Sequence, residues 1–558
     1  MNGGRLSTEQ RAAAEASANH LLILAPPGCG KTEVLAHRAA HLIHQLLPNQ
    51  RILALTFTNR AKVNLSQRFR ETLGAARMRK YVVVKNFHGH AADTILAHGR
   101  TLPDRPDRMI LPTRSTAGKD LERVVPDASE RAAAAALLGQ VKSSPLSDDE
   151  IITRLQESDD PGAASALEVE QIRQKAVRLD YDDLLRHAQR ILRVSAVARL
   201  YQCHFGAILV DEFQDMSLQH LDLVRRTCTA SRTYAGDPDQ GIFTWAGAAP
   251  KQVLKALREE CSEPLRLHGS YRSSPQVLSM VNEISAHLSS NEIGAHLNTP
   301  VALESVNPMD WPDGGCSAKL EFRDKKEEAD GLLRLAEAVL KSSPDNSFGV
   351  ITRAGWRRRV IDNTFTGSEL PVRRWDLAVD DPSILEHIRE VVNRLPRNTT
   401  VEHAREAVLS GADPADVDTV DQLEDAFDIL SETDAPSIRA ALGALRTSDP
   451  LEPVGSGVHL LNAHTGKGQQ FDWVVAVGME EGHLPYQKAK TRADLAEEER
   501  TLLVMLSRAR HGVVATRTRK DVGRYGRPFD QKLSRWWSLL TPQYTTLEMV
   551  FEHIERLT

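Results

Sequence analysis

The 558-residue chain has room for about three or four domains of ~150 residues. Its 41% hydrophobic and 26% charged residues, with 33 Gly and 27 Pro, exclude a disordered or collagen-like chain. Seventy basic against 75 acidic residues leave a formal net charge of −5, so any nucleic-acid surface has to be a local basic stripe.

The start, residues 1–10, is polar, and no apolar run approaches the ~18 residues of a membrane span. The expectation is a cytoplasmic protein with no membrane partner. Cys29, Cys203, Cys228, Cys261 and Cys316 lie far apart with no C-x-x-C pair, which argues against a zinc ribbon, an iron–sulfur cluster or a disulfide framework. Short apolar runs at residues 21–25, 52–55, 82–84 and 207–210 precede amphipathic stretches, the βα alternation of a parallel sheet. After the first run, Val34, Leu35, Ala39, Leu42, Ile43, Leu46 and Leu47 recur at helical spacing until Pro48. Residues 91–180 turn to loops rich in Pro, Arg and Asp with helical pieces such as 131–138, which predicts an inserted helical subdomain. The strand pattern resumes at Phe205. A polar, Pro- and Gly-punctuated stretch at 291–317 reads as a linker or long loop. A second βα series follows at 319–322, 348–352 and 370–375, is interrupted by an acidic helical region at 380–453, and resumes at Val458 and 474–477.

Two motifs carry chemistry. Ala25-Pro-Pro-Gly-Cys-Gly-Lys-Thr32 lies between the first strand and its helix, where backbone N–H groups around Gly28 and Gly30 can surround phosphate oxygens. Lys31 then reaches the β and γ phosphates and Thr32 ligates Mg²⁺, although Ala25 occupies the usual first glycine of such a loop. Asp211-Glu-Phe-Gln-Asp215 follows the run 207–210 at the carboxyl end of a buried strand, where ligands collect in open α/β sheets. By itself that cluster could be a solvated acidic turn. Paired with the loop above, Asp211 can hold Mg²⁺ through a water while Glu212 accepts a proton from attacking water.

The run Gly236-Asp-Pro-Asp-Gln-Gly-Ile-Phe-Thr-Trp-Ala-Gly-Ala248, with residues 211–215, resembles the UvrD/Rep-like helicases of superfamily 1A. Gln10, Thr56-Phe-Thr-Asn59, Asn86-Phe-His-Gly89, Tyr271-Arg-Ser273, His464-Thr-Gly-Lys-Gly468 and Ser507-Arg-Ala509 match further motifs in the family's order. The resemblance implies an α/β fold of two RecA-like P-loop NTPase domains, each with a mostly helical insertion. The boundaries are 1–90 and 181–270 for the first domain around an insertion at 91–180, then 271–379 and 454–558 for the second around a short insertion at 380–453.

The same resemblance implies ATP and Mg²⁺ as cofactors and single-stranded DNA, or a tailed duplex, as partner. Tyr271 offers an aromatic face for adenine and Gln10 an amide for its edge, with a buried aromatic and a helix-surface glutamine as the ordinary alternatives. Arg272 and Arg508 match the family's arginine fingers, Gln240 its γ-phosphate sensor, and Gln470 a position that touches the ribose. Phe243 and Trp245 match base-stacking positions, with core packing as the alternative. Phe57, Thr58, Asn59, Phe87, His88, Arg353 and His464 match positions that touch the strand. A basic stretch, Arg508, Arg510, Arg517, Arg519, Lys520, Arg524 and Arg527, could extend that track, while a solvated face is equally open for its last four.

The sequence also departs from the family. Glu33 stands for a usual arginine, Gln470 for a glutamate, Ala246 for an arginine, and Gly355 stands where Arg-x-Asn is expected after Arg353. The second insertion is short, so translocation is expected to exceed strand separation. The combined reading is an ATP-dependent 3′ to 5′ single-stranded DNA translocase and helicase. The reading from another class is a nucleotide-gated assembly or regulatory subunit of a DNA-repair or anti-phage defence complex, acting on a protein partner.

Overall fold

The apolar runs of the first half form a six-stranded parallel sheet: β1 (His20–Leu24), β2 (Arg51–Thr56), β3 (Val82–Asn86), β4 (Phe205–Asp211), β5 (Arg232–Gly236) and β6 (Leu265–Arg266). Their order is β3-β2-β4-β5-β1-β6 in this computed structural model. It describes residues 6–104, 109–112, 119–125, 127–244, 247–291, 302–375, 382–411, 423, 426–427, 430–431, 435–444, 454–522 and 528–557. The chain divides into two compact units, Met1–Pro26 with Gly30–Leu267 and Pro27–Cys29 with His268–Thr558.

In the first unit β4, β5 and β1 are neighbours, with Asp211 in register with Ala235 and Leu24 with Gly236. Their carboxyl ends therefore deliver the acidic motif, the segment from Gly236 and the phosphate-loop candidate to one edge of one sheet. No apolar run marks β5, yet all five of its residues are buried. Arg232 is tolerated there because its guanidinium meets Glu260 at 2.7 Å and donates to the Cys228 carbonyl at 3.0 Å. The helix Lys31–Ile43 ends a turn before the expected stop at Pro48, and Leu47 is left exposed. From it the buried Arg38 donates to the carbonyls of Ala14, Ala16 and Ala18, which ties the helix Thr8–Glu15 to the sheet.

Within 91–180, the helices Lys119–Val124, Ala128–Lys142, Asp148–Gln156 and Ala163–Lys175 share a core of their own around Leu137, Leu138, Ile151 and Val169. The helices Phe87–His98 and Tyr181–Ile191 flank them and pack instead into the main core with β4. The join between the two cores is the fully buried Lys142, whose ammonium lies 2.7–2.9 Å from Glu170, Asp180 and Asp183.

In the second unit, β7 (Gly269–Ser270) pairs with β8 (Glu304–Ser305) beside a second six-stranded parallel sheet. That sheet contains β9 (Cys316–Phe322), β10 (Ser347–Thr352), β11 (Val372–Arg374), β12 (Gly457–Asn462), β13 (Phe471–Val477) and β14 (Ala509–Thr518), in the order β11-β12-β10-β13-β14-β9. The helices Pro382–Arg394, Val401–Gly411 and Ile438–Ala444 form a separate small core in the second insertion. No helix among the described residues is long and apolar enough to cross a membrane. Replacing Lys142 with Met would take the ammonium from three carboxylates, leaving Arg173 on Asp180 and Arg186 on Asp183 but the buried Glu170 with its charge uncompensated; we expect Lys142→Met to lower stability by about 3–5 kcal/mol, read as a fall in the denaturant midpoint with an unchanged slope.

Candidate functional site

Between β1 and the helix Lys31–Ile43 the chain turns through Gly28 and Gly30, with φ of 82° and 75°. This left-handed backbone favours glycine. A Cβ on Gly30 would also lie 2.5 Å from Gln10 Nε2. Gln10 is buried, its Oε1 accepts from the Ser7 N–H at 3.1 Å, and it closes a capping box on the helix Thr8–Glu15. It is therefore not the helix-surface residue of the ordinary alternative, and its amide stands against the phosphate-loop candidate at Gly30.

Lys31 Nζ lies 2.6 Å from Glu212 Oε2 and 3.6 Å from Asp211 Oδ1. Burial works against the ammonium, but the Glu212 and Asp211 carboxylates outweigh it and hold the Lys31 pKa above its ordinary value. Asp211 is pushed up to about 6 by burial, with the nearby Glu212 charge adding to it against the pull of Lys31. Glu212 sits in the left-handed region at φ 62°, immediately after β4.

Its carboxylate accepts from the Gln214 amide, whose own oxygen accepts the Asp237 N–H at 3.0 Å. Asp237 Oδ2 in turn accepts from Gln240 Nε2 at 2.8 Å. Gln214 and Asp237 were not singled out by sequence, although both lie inside the quoted motifs and are buried. They couple the strand ends of β4 and β5. The buried Asp211 Oδ1 accepts no hydrogen bond, an arrangement that suits a divalent cation beside this carboxylate. Lys31, Thr32 and Asp211 thus fit ATP with Mg²⁺. Glu33 pairs with His37 and Arg68, each at 3.1 Å, which accounts for an acidic residue at that place.

The strand-contact candidates of the first unit cluster after β2 and β3. Thr58 is exposed and caps the helix Asn59–Leu73, and Asn59 Oδ1 accepts from Asn86 Nδ2 at 3.0 Å. Phe57 packs on Phe87 with ring centroids 4.9 Å apart, and His88 lies edge-on to Tyr181 at 5.7 Å. Burial lowers the pKa of His88 and favours the neutral ring. Phe87 itself is fully buried, so its side chain belongs to the core and only its backbone can meet a strand. Phe243 is half-buried, and Trp245 lies outside the described residues.

In the second unit Arg272 and Arg508 meet around Ser507. Arg272 Nη1 donates to the Ser507 carbonyl at 3.4 Å, and Arg508 Nη2 donates to Ser507 Oγ at 2.9 Å. Tyr271 is 45% exposed, and Gln470 is exposed. His464 is lowered to about 4 by burial, with Arg353 and Lys467 adding to it. Arg353, an expected strand contact, has its Nε and Nη2 each 2.8 Å from Glu498 Oε1 and its guanidinium over the Tyr486 ring. In the basic stretch Arg517 and Arg519 both pair with Glu321, while Arg524 and Arg527 lie outside the described residues.

Two family models match this chain, the UvrD/REP helicase N-terminal domain over residues 6–260 and the UvrD-like helicase C-terminal domain over residues 387–520. The chain belongs to the UvrD/Rep-like helicases of superfamily 1A. It is 27% identical to the ATP-dependent DNA helicase UvrD2 of Mycobacterium tuberculosis, over 96% of this chain and 82% of that protein. DNA helicase II of Escherichia coli is 26% identical over 94% of this chain and 86% of its own length, and ATP-dependent DNA helicase PcrA of Leuconostoc citreum 24% over 99% and 86%. Membership supports ATP-dependent DNA helicase or translocase activity, with the ATP, Mg²⁺ and single-stranded DNA typical of the family.

For this UvrD-like chain, the Arg353 geometry separates two roles. A phosphate contact would reduce the salt slope of DNA binding by about 1 on removal. A charge held by Glu498 would not. We expect Arg353→Met to leave the slope of log affinity against log salt unchanged while lowering the thermal midpoint, measured by fluorescence anisotropy and differential scanning fluorimetry.

Proposed function

We propose that the protein hydrolyses ATP to move 3′ to 5′ along single-stranded DNA and to open tailed duplexes, in repair, recombination or defence, within the cytoplasm. The observation that carries this reading is the Lys31 ammonium, just after β1, held by Asp211 and Glu212 at the carboxyl end of β4 in the same sheet. An incoming triphosphate supplies the anionic partner that Glu212 now provides, so Lys31 turns to the β and γ phosphates and Glu212 is released to take the proton of the attacking water. Gln214, bonded to both Glu212 and the Asp237 backbone, is a positioning residue that keeps this carboxylate in line. When bound by Thr32 and Asp211, Mg²⁺ neutralises the phosphate charge. Gly28 and Gly30 direct backbone N–H groups at the phosphates, Tyr271 faces the adenine, Gln470 the ribose, and Gln240 responds to the γ-phosphate. Arg272 and Arg508 add the positive charge that the transition state needs. Phe57, Thr58, Asn59, His88, Phe243, Trp245 and His464 follow the strand, and the Phe87 backbone supports them.

A second reading, a nucleotide-gated assembly subunit for a protein partner in a repair or defence complex, draws support from the cations tied up in Arg353–Glu498 and in the Arg517 and Arg519 pairs with Glu321. Stimulation of ATPase by single-stranded DNA separates the two, because a motor is strongly stimulated and a switch is not. Blocking streptavidin displacement at one end of the strand at a time reads the polarity.

Lys31→Ala is expected to lose nucleotide binding together with turnover, whereas Glu212→Gln keeps nucleotide binding and loses turnover, by about 10²-fold or more. Fluorescent-nucleotide titration alongside phosphate release distinguishes them; substantial turnover by Glu212→Gln removes it as the base. Trp245→Ala is expected to weaken strand binding by about 1–3 kcal/mol and to lower DNA-stimulated ATPase more than basal ATPase, measured across a salt series.

A further inference from the structure

Three side chains from distant parts of the second unit converge away from the residues discussed so far. Asp313 lies in the turn before β9, His511 near the start of β14, and His553 in the helix Leu547–Glu555. Asp313 Oδ2 is 2.9 Å from His511 Nε2 and 3.0 Å from His553 Nε2, and one ligand atom from each residue falls within 4.8 Å of the others. We propose that Asp313, His511 and His553 form a binding site for one zinc ion.

Four observations support the assignment. His553 is 3% exposed, yet its Nε2 makes no hydrogen bond of acceptable geometry despite its closeness to Asp313. A buried ring nitrogen aimed at a carboxylate and another imidazole is left with an orphaned polar atom that a cation would satisfy. The other nitrogen of the same ring, Nδ1, faces the Tyr544 hydroxyl at 3.1 Å, the kind of outer contact that fixes a metal-binding imidazole. The His511 ring is stacked on Trp473 at 5.5 Å with planes 14° apart and meets the Trp311 edge at 5.4 Å, so it too is held in one orientation. By contrast, the other candidate cluster among the described residues, Glu170, Asp180 and Asp183, already surrounds the Lys142 ammonium.

Two imidazoles and one carboxylate, with a fourth position for water, are a zinc donor set. Calcium and magnesium prefer oxygen ligands throughout. An ion here would fasten the helix Leu547–Glu555 to β14. It would also bear on the neighbouring segment, because Ser273 Oγ donates to the Ala509 carbonyl and Ser274 Oγ to the His511 carbonyl.

The test is a titration of the metal-stripped full chain with Zn²⁺ against a chromogenic chelator, with Co²⁺ absorption as a report on geometry and the unfolding midpoint as a second readout. Wild type is expected to take one equivalent, to give the intense visible bands of four-coordinate Co²⁺, and to gain a higher midpoint with zinc. Tyr544→Phe, which leaves all three ligands in place, should weaken binding by about 10-fold. Asp313→Asn and His511→Gln should weaken it further and remove the midpoint gain. Circular dichroism checks that each variant folds, and His511→Gln, at the more open side of the cluster, serves if Asp313→Asn does not fold. Absence of stoichiometric zinc binding by wild type, or binding by folded Asp313→Asn or His511→Gln as tight as wild type, overturns the site and leaves an ion-paired histidine cluster.

Discussion

A lysine ammonium taken out of water at the end of a sheet has to be met by negative charge, and Lys31 is met by Glu212 and Asp211. Much of the first unit follows from that requirement. The two carboxylates arrive on β4, the lysine follows β1, and β5 between them contributes Asp237, which is bound through Gln214 to the same Glu212. Burial raises Asp211 and Asp237 toward protonation while the lysine opposes it. A polyanionic ligand would exchange one set of counter-charges for another, and the cost of desolvating the lysine is already met by the fold. The left-handed turns at Gly28 and Gly30, and the Gln10 amide against Gly30, shape the loop that leads into Lys31.

The second sheet repeats part of this architecture with different contents. In the first, β3 ends at Asn86, whose side chain caps the helix Phe87–His98, and His88 follows two residues later. In the second, β12 ends at Asn462, which caps the short helix Ala463–Gly466, and His464 follows at the same interval. The neighbouring strands end in register at Thr56 and Thr352, each with a buried hydroxyl. Both histidines are driven toward the neutral form by burial. A neutral imidazole can give or accept a hydrogen bond without the desolvation cost of a cation.

Elsewhere in the second unit, charge is committed to the fold. Arg357 lies between Glu328 and Glu480, all three buried, and Glu480 also accepts from the Thr518 N–H. Arg353 is held by Glu498, and Glu498 also accepts from the Tyr486 N–H. Removing one member of such a group leaves an uncompensated buried charge. These arginines therefore contribute charge to the fold itself.

The strands carried by apolar runs, the glycine turn after β1 and the order of the motifs were legible in the sequence because each depends on residues close together in the chain. The periodicity of β1 to β4 and β9 to β13 and the glycines that permit left-handed turns are local properties. β5 and β14 were not legible, since Arg232, His511 and Arg517 interrupt any apolar run and are accommodated only by partners contributed from elsewhere. The same limit hid Gln214 as the link between Glu212 and Asp237, the burial of Phe87, and the capture of Arg353 by Glu498. Cysteine spacing pointed away from zinc, yet Asp313, His511 and His553 converge without a cysteine. Which charge meets which, and which ring is covered, is set when strands distant in sequence become neighbours in a sheet; residue type and spacing determine what a side chain can do, and packing alone decides what it has left to do it with.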